Sequence, residues 1–206
     1  MSDFTLTKLR RMFGLTQQRL TLFADIPCVE GTPWLTETLR KGRQLIVDTE
    51  KARSELIVTP ILLTIRELQQ NRFAIYSGET FDVEPEKGLN GECDFILTDT
   101  PPLQELQAPV MMIVEAKKND IESGFGQCAA QLLAAQIFNQ RDQVSVESLF
   151  GCVTTGEAWH FLKLAQKVIV IDQERYYLDQ LPAILGIFQM IFAFYKAQLA
   201  ANKRDN

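Results

Sequence analysis

The sequence predicts an α/β protein of a single domain, in which a mixed sheet is flanked by helices. Short apolar runs, typical of buried strands, cluster between residues 73 and 171. Longer stretches with the apolar spacing of helices precede, interrupt and follow these runs. The chain of 206 residues is long enough for one substantial core. Helices and strands that alternate around one core are typical of α/β folds.

Apolar spacing and helix start and stop signals give the predicted elements. Asp48 and Thr49 are suited to begin a long helix, and Pro60 is expected to kink or interrupt it. Residues 98–108, which include two consecutive prolines, are predicted to form a surface loop. The predicted helices cover residues 4–23, 35–46, 50–70, 120–139 and 181–200, and the predicted strands cover residues 73–76, 80–83, 92–97, 110–115, 149–154, 158–164 and 167–171.

The domain is predicted to consist of a helical extension, residues 1–46, and a core, residues 47–206. The apolar stretch near the end of the chain is short and carries Gln189, so we expect a buried terminal helix there. The first residues lack the basic-then-apolar order of a secretory signal. We therefore expect a cytoplasmic protein without a membrane partner.

Charge and cysteine content narrow the function classes. The net charge of −5 argues against a protein that binds nucleic acid through overall positive charge. Basic residues, among them Lys51 and Arg53, are concentrated in the first third of the chain, where they would contact an anion or form a solvated helix face. The four cysteines form no Cys-x-x-Cys pair, so we expect reduced, buried thiols and no zinc site.

Polar side chains end a strand that is otherwise apolar. The run from Val110 to Val114 is typical of a strand covered on both faces, yet Glu115 and Lys117 follow it. Alternation along a strand places Glu115 and Lys117 on one face. Asp94 lies about twenty residues earlier, in the predicted strand 92–97, and a hairpin-like connection would place it beside Glu115 and Lys117.

Two carboxylates held close together favour a divalent cation between them. Without a cation they repel each other, which raises one pKa and lowers stability. Carboxylates together with a backbone carbonyl suit Mg²⁺ or Mn²⁺, which prefer oxygen ligands. A lysine beside such a cation can orient an attacking water. The pattern thus points to hydrolysis of a phosphodiester, although a surface Glu–Lys pair is the structural alternative.

These residues resemble the PD-(D/E)XK nuclease superfamily, and most of all the N-terminal nuclease domain of type I restriction enzyme motor subunits. The resemblance covers about residues 51–164 and rests on three stretches: GECDFIL at residues 91–97, IVEAKK at residues 113–118, and Gly126-Gln127 in the following helix. It implies a restriction-endonuclease-like αβββαβ core and cleavage of DNA phosphodiester bonds that depends on Mg²⁺.

The resemblance also implies roles for single residues. Asp94, Glu115 and the Ala116 carbonyl match metal ligands, and Lys117 matches the catalytic lysine. Glu55 matches an acidic ligand on the first core helix, where its spacing from Val58, Thr59 and Leu62 predicts an inward position. Gln127 matches a glutamine that assists catalysis. Expected contacts with DNA are Gln131, Lys118, Lys51 and Arg53, although Gln131 stands where restriction-type relatives usually have a tyrosine.

Two other interpretations remain open at the level of sequence. The chain could keep the nuclease fold without catalysis and serve as a binding or scaffold module, which the negative charge and Gln131 favour. It could also be an unrelated α/β protein in which the acidic and lysine triplet arose by chance. For the nuclease, DNA is the expected partner, and a homodimer or a partner subunit is possible because a duplex has two strands to cut.

Overall fold

One mixed sheet of eight strands runs through the part of the chain that the computed structural model describes, residues 1–45 and 47–202. The strands lie in the order β1-β7-β6-β5-β4-β3-β2, with β8 paired to β6. The pairs β1–β7 and β4–β5 are parallel, and the other pairs are antiparallel. The strands are β1 Thr16–Leu20, β2 Ala74–Thr80, β3 Glu92–Thr98, β4 Val110–Ala116, β5 Ser148–Thr154, β6 Ala158–Ala165, β7 Val168–Asp172 and β8 Tyr176–Tyr177.

Helices cover both faces of this sheet, which confirms the predicted α/β class. The α-helices are α1 Leu6–Phe13, α2 Pro33–Gly42, α3 Glu50–Arg53, α4 Thr59–Leu68, α5 Ile121–Arg141 and α6 Leu181–Asn202. Apolar residues of β4 alternate between the faces: Ile113 belongs to a core cluster with α5, whereas Met112 and Val114 belong to one with α4 and α6. From Glu50 to Thr154 the order of elements is helix, three strands, helix, strand.

The N-terminal segment differs from the predicted helical extension. Helix α1 begins after Thr5, whose side chain accepts from the Lys8 N–H, and it ends at Gly14, whose φ of 70° is left-handed. Residues 16–20, predicted as the end of a helix over 4–23, instead form β1 and pair with β7. Residues 1–46 therefore contribute a strand to the sheet. The predicted helix 35–46 ends at Gly42, and Ile46 lies outside the described residues.

The long helix around Pro60 is irregular at one turn. Thr49 caps its start by accepting from the Ala52 N–H, as predicted. Pro60 has no N–H to donate to the preceding turn, and a π-helical turn, Ser54–Val58, ends two residues before it. The Thr59 N–H reaches back to the Ser54 carbonyl in this turn. The π-helical turn rotates the residues before Thr59 relative to those of α4.

Three smaller differences concern strands and the last helix. The predicted strand 73–76 extends to Thr80 as β2, the predicted strand 80–83 is not a strand beyond Thr80, and the short strand β8 is additional to the predicted strands. The stretch Leu178–Gln198 is long and apolar enough to cross a membrane by length and composition, and half of it is buried inside the protein. Ile184 and Phe188 in α6 are fully buried, so α6 is a core helix, as expected.

Candidate active site

Asp94 and Glu115 lie at the same end of neighbouring strands. Phe95 pairs with Val114 across β3 and β4, so Asp94 and Glu115 occupy the next positions along the two strands. Asp94 Oδ2 accepts a hydrogen bond of 2.7 Å from the backbone N–H of Ala116. The structure thus brings together the two acids that the sequence places on one site, and Asp94 also holds the end of β4.

Glu115 is buried, and both of its carboxylate oxygens have partners. Its Oε1 lies 2.6 Å from the Lys117 ammonium, and its Oε2 accepts a hydrogen bond of 2.7 Å from Gln131 Nε2. The Lys117 ammonium also donates to Gln127 Oε1 at 3.1 Å. Glu115 is 2% exposed, Gln131 is 0% exposed, and the Lys117 side chain is 18% exposed. Lys117 and Gln127 are therefore the partly exposed side chains of this group.

Two anchors fix helix α5 against β4. At one end, the Asn139 side chain accepts from the Val110 N–H and donates to the Val110 carbonyl, each at 2.8 Å. Toward the other end, Gln131 bonds to Glu115. The backbone of Lys117 is held as well, because its N–H donates to the Thr154 carbonyl and prolongs the β4–β5 ladder. These contacts set the position from which Gln131 reaches Glu115.

Gly124 gives the Lys117 side chain its space beside α5. A Cβ atom at Gly124 would lie 2.5 Å from Val153 Cγ1 and 3.2 Å from Lys117 Cγ. The first distance is far inside van der Waals contact. The absence of a side chain at Gly124 is therefore what allows α5, β5 and the lysine stem to come together.

We expect Gly124→Ala to lower the free energy of unfolding by about 1–3 kcal/mol, because the added methyl group overpacks this contact. Urea denaturation measures the change. Gly31→Ala is the matched control, because a Cβ at Gly31 would meet its nearest atom, in Leu35, at 3.4 Å. Equal stability of the Gly124 variant and the wild type would show that the helix and strand separate without cost.

Burial shifts the pKa values of the two carboxyl groups in the same direction. Burial raises the pKa of Glu115 to about 7, and the charge of Asp94 adds to the effect, whereas Lys117 and Gln131 oppose it. Burial also raises the pKa of Asp94, although the hydrogen bond from Ala116 opposes the shift. Burial works against the charge of Lys117, but the neighbouring carboxylates outweigh it and raise the pKa of the ammonium. The site therefore holds more negative charge than its lysine neutralises.

Glu55 does not lie in this site, so the prediction that it points inward is wrong. Its side chain is 61% exposed, 3.9 Å from the Lys51 ammonium. The helical spacing that placed Glu55 inward assumed a regular α-helix, and the π-helical turn that contains Glu55 breaks that phase. The acid at the start of α3, Glu50, acts on the site through its negative charge, which contributes to the raised pKa values of both Asp94 and Lys117.

The expected contacts with DNA fall into two groups. Gln131 is fully buried and engaged with Glu115, so the expectation that it touches DNA is wrong. Arg53 is half-buried and donates to the Thr155 carbonyl at 2.7 Å, which ties the first core helix to the turn after β5. Lys51 and Lys118 are exposed. Of the four expected DNA contacts, these two lysines are the exposed ones, and Lys51 lies 3.9 Å from Glu55.

The site suits a hard divalent cation in its donor chemistry but offers few ligands from side chains. Among residues 1–45 and 47–202, no three His, Cys, Asp or Glu side chains form a group that could hold a metal ion. Asp94 and Glu115 supply two carboxylates whose mutual repulsion a cation would relieve. Gln131 Oε1 is buried beside them without a hydrogen-bond partner among the described residues. Because two carboxylates are too few for a divalent cation, its coordination shell would be completed by the Ala116 carbonyl and by ligands from outside the chain.

The cysteines are free, and three of them are buried. Burial raises the pKa values of Cys93, Cys128 and Cys152 well above the ordinary value, so these thiols are protonated at neutral pH. Cys28 is exposed, which corrects the expectation that all four cysteines are buried. Protonated, buried thiols are poor metal ligands.

Comparison with family models, with curated proteins and with solved structures found no match for this chain.

Proposed function

We propose that this protein is a Mg²⁺-dependent endonuclease that hydrolyses DNA phosphodiester bonds, of the restriction or repair type. The observation that carries the proposal is the arrangement of Asp94, Glu115 and Lys117 at the ends of two adjoining strands, with the lysine ammonium 2.6 Å from Glu115. The order helix, three strands, helix, strand from Glu50 to Thr154 is also the order of a restriction-endonuclease-like core. Both features support membership of the PD-(D/E)XK superfamily.

In this proposal each residue has a distinct task. Asp94, Glu115 and the Ala116 carbonyl would hold Mg²⁺ or Mn²⁺, and the negative charge of Glu50 would add to the attraction for the cation. A divalent cation, when bound, supplies positive charge to the phosphate and favours ionisation of a water. The Lys117 ammonium orients the attacking water and stabilises developing negative charge, and Gln127 fixes the ammonium at 3.1 Å.

The exposed lysines near the site suit contacts with the DNA backbone. Lys118 directly follows the catalytic lysine, and Lys51 lies one residue after Glu50 in α3. Each would neutralise one phosphate, so binding would weaken as salt rises. Because the net charge of the protein is −5, the rest of its surface would repel DNA, and such binding would be limited to this region. Placement in the cytoplasm, where thiols stay reduced, is part of the same proposal.

A nuclease-fold protein without catalysis is the second candidate. Both oxygens of Glu115 already have partners within the chain, so the polar group is satisfied without a cation. Such a protein would serve as a binding or scaffold module. The two candidates differ in whether a divalent metal binds and whether DNA is cut.

The test is a cleavage assay with Mg²⁺ and with Mn²⁺ on plasmid, linear duplex, single-stranded and branched DNA. The Asp94→Ala variant is assayed beside the wild type. Cleavage by the wild type that is lost in the variant would support the endonuclease, and the preferred substrate would define its class. No cleavage of any substrate, together with no binding of either metal, would favour the scaffold.

A further inference from the structure

The two side chains that hold Glu115 differ in charge and in freedom to move. Gln131 is neutral, fully buried and part of a helix that is anchored to β4 through Asn139. Lys117 is charged, reaches partly into solvent and has a second acceptor, Gln127 Oε1, at 3.1 Å. The lysine can therefore leave Glu115 without losing every partner, whereas the glutamine cannot move without α5.

We infer that Gln131 is a positioning residue that fixes Glu115 for metal binding, and that Lys117 occupies the oxygen, Oε1, through which a divalent cation would gain access. The inference rests on the proposed metal site. It assigns Gln131 a role within the protein in place of the DNA contact that the sequence predicts. It also assigns Lys117 a second role, as the internal counter-ion that the cation must displace.

Electrostatics gives the two partners opposite effects on metal affinity. The Lys117 ammonium and a cation compete for the same oxygen and repel each other at short range, so the lysine weakens metal binding. The side-chain amide of Gln131 carries no net charge and holds Oε2, so Oε1 is the oxygen that contacts the partly exposed Lys117. Without Gln131, the buried carboxylate would lose a hydrogen bond and its fixed rotamer.

Competition between protons and the metal for Glu115 does not reverse the expected rise in metal affinity when Lys117 is removed. Loss of one positive charge strengthens the binding of a proton to Glu115, but it strengthens the binding of a doubly charged cation about twice as much. The variant is therefore expected to bind the metal more tightly than the wild type at any pH, and the difference in affinity is larger at alkaline pH. This reasoning favours a measurement at about pH 8.

The experiment measures Mn²⁺ affinity directly, from the electron paramagnetic resonance signal of free Mn²⁺ during titration, with Mg²⁺ added as a competitor. The variants are Lys117→Met and Gln131→Met, which keep side-chain length. We expect the dissociation constant to fall about tenfold for Lys117→Met and to rise about tenfold for Gln131→Met, each corresponding to about 1.4 kcal/mol.

Two matched controls separate these effects from general ones. Lys118→Met makes the same change of charge at the next, exposed residue and should leave the dissociation constant within about twofold, because salt and water screen it. Gln136→Met removes another amide of α5, one that donates to the Gln166 carbonyl instead of to Glu115. It should lower the melting temperature without a change in Mn²⁺ affinity. Gln131→Leu is a second variant if Gln131→Met does not fold.

The outcomes distinguish this inference from the proposed function. Mn²⁺ binding by the wild type that Lys117→Met does not tighten, or that Gln131→Met does not weaken, would overturn the inference and leave the metal site standing. Binding by Lys117→Met with none by the wild type would support the inference and count against the nuclease. No binding by the wild type or by Lys117→Met would overturn both.

Discussion

The Lys117→Met variant is expected to lose DNA cleavage by a factor of about 10²–10⁴ and to keep its stabilisation by metal. In the proposed mechanism, the ammonium orients the attacking water and stabilises charge, which is the contribution of a general acid or base. Methionine retains the apolar stem that fits beside Gly124, so the backbone should not shift. Single-turnover cleavage of plasmid DNA at saturating Mg²⁺ measures the loss.

The same variant separates catalysis from binding in one protein. If Lys117 excludes the cation, metal affinity rises while the rate falls, and a merely unfolded variant would lose both. Lys118→Met, which removes an exposed lysine at the next residue, serves as the control and should affect mainly the dependence on salt. Cleavage by Lys117→Met at the wild-type rate would refute the assigned role of the lysine.

The Asp94→Asn variant is expected to lose both cleavage and the stabilisation that a divalent metal gives the wild type. Saturation at about a hundred times the dissociation constant raises the free energy of unfolding by about 2.7 kcal/mol. Asparagine can still accept the hydrogen bond from the Ala116 N–H through its amide oxygen, so the last residues of β4 should stay in position. Thermal melting with and without Mg²⁺, beside Glu92→Gln as an exposed control on the same strand, measures the difference.

The stability of the metal-free protein should depend on pH in a defined direction. A carboxyl group whose pKa is raised by folding stabilises the protein at low pH, and this contribution disappears as pH rises through the folded-state pKa. For Glu115 the window runs from its ordinary value of 4.5 to about 7. The pKa of Asp94 is raised as well, so the wild type carries two such groups side by side.

Asp94→Asn removes one of these groups and relieves the repulsion on the other. Without metal, we therefore expect the variant to match the wild type in stability at about pH 5 and to exceed it at about pH 8. Melting temperatures across this range, in buffer with a chelator, test the sign. A variant that is less stable than the wild type at pH 8, or that still responds to Mg²⁺, would contradict the proposed pairing of Asp94 and Glu115.

Local patterns in the sequence are enough to predict the elements that carry the site. The run from Val110 to Val114 is apolar at every position because β4 is covered on both faces, and this alone identifies a central strand. The alternation of side chains along that strand is fixed by backbone geometry, so Glu115 and Lys117 had to share a face. Helix α5 was predictable for the same reason, since its start at Asp120 and its length depend on neighbouring residues.

Contacts between distant segments decide the rest. The strand Thr16–Leu20 is exposed at every residue and has no apolar alternation, and only its pairing with Val168–Asp172, far along the chain, makes it a strand. The exposure of Glu55 depends on a π-helical turn, which changes which side chains of this helix face the sheet. Gln131 is a buried partner of Glu115 because α5 packs on β4, and packing depends on tertiary contacts that no local pattern encodes.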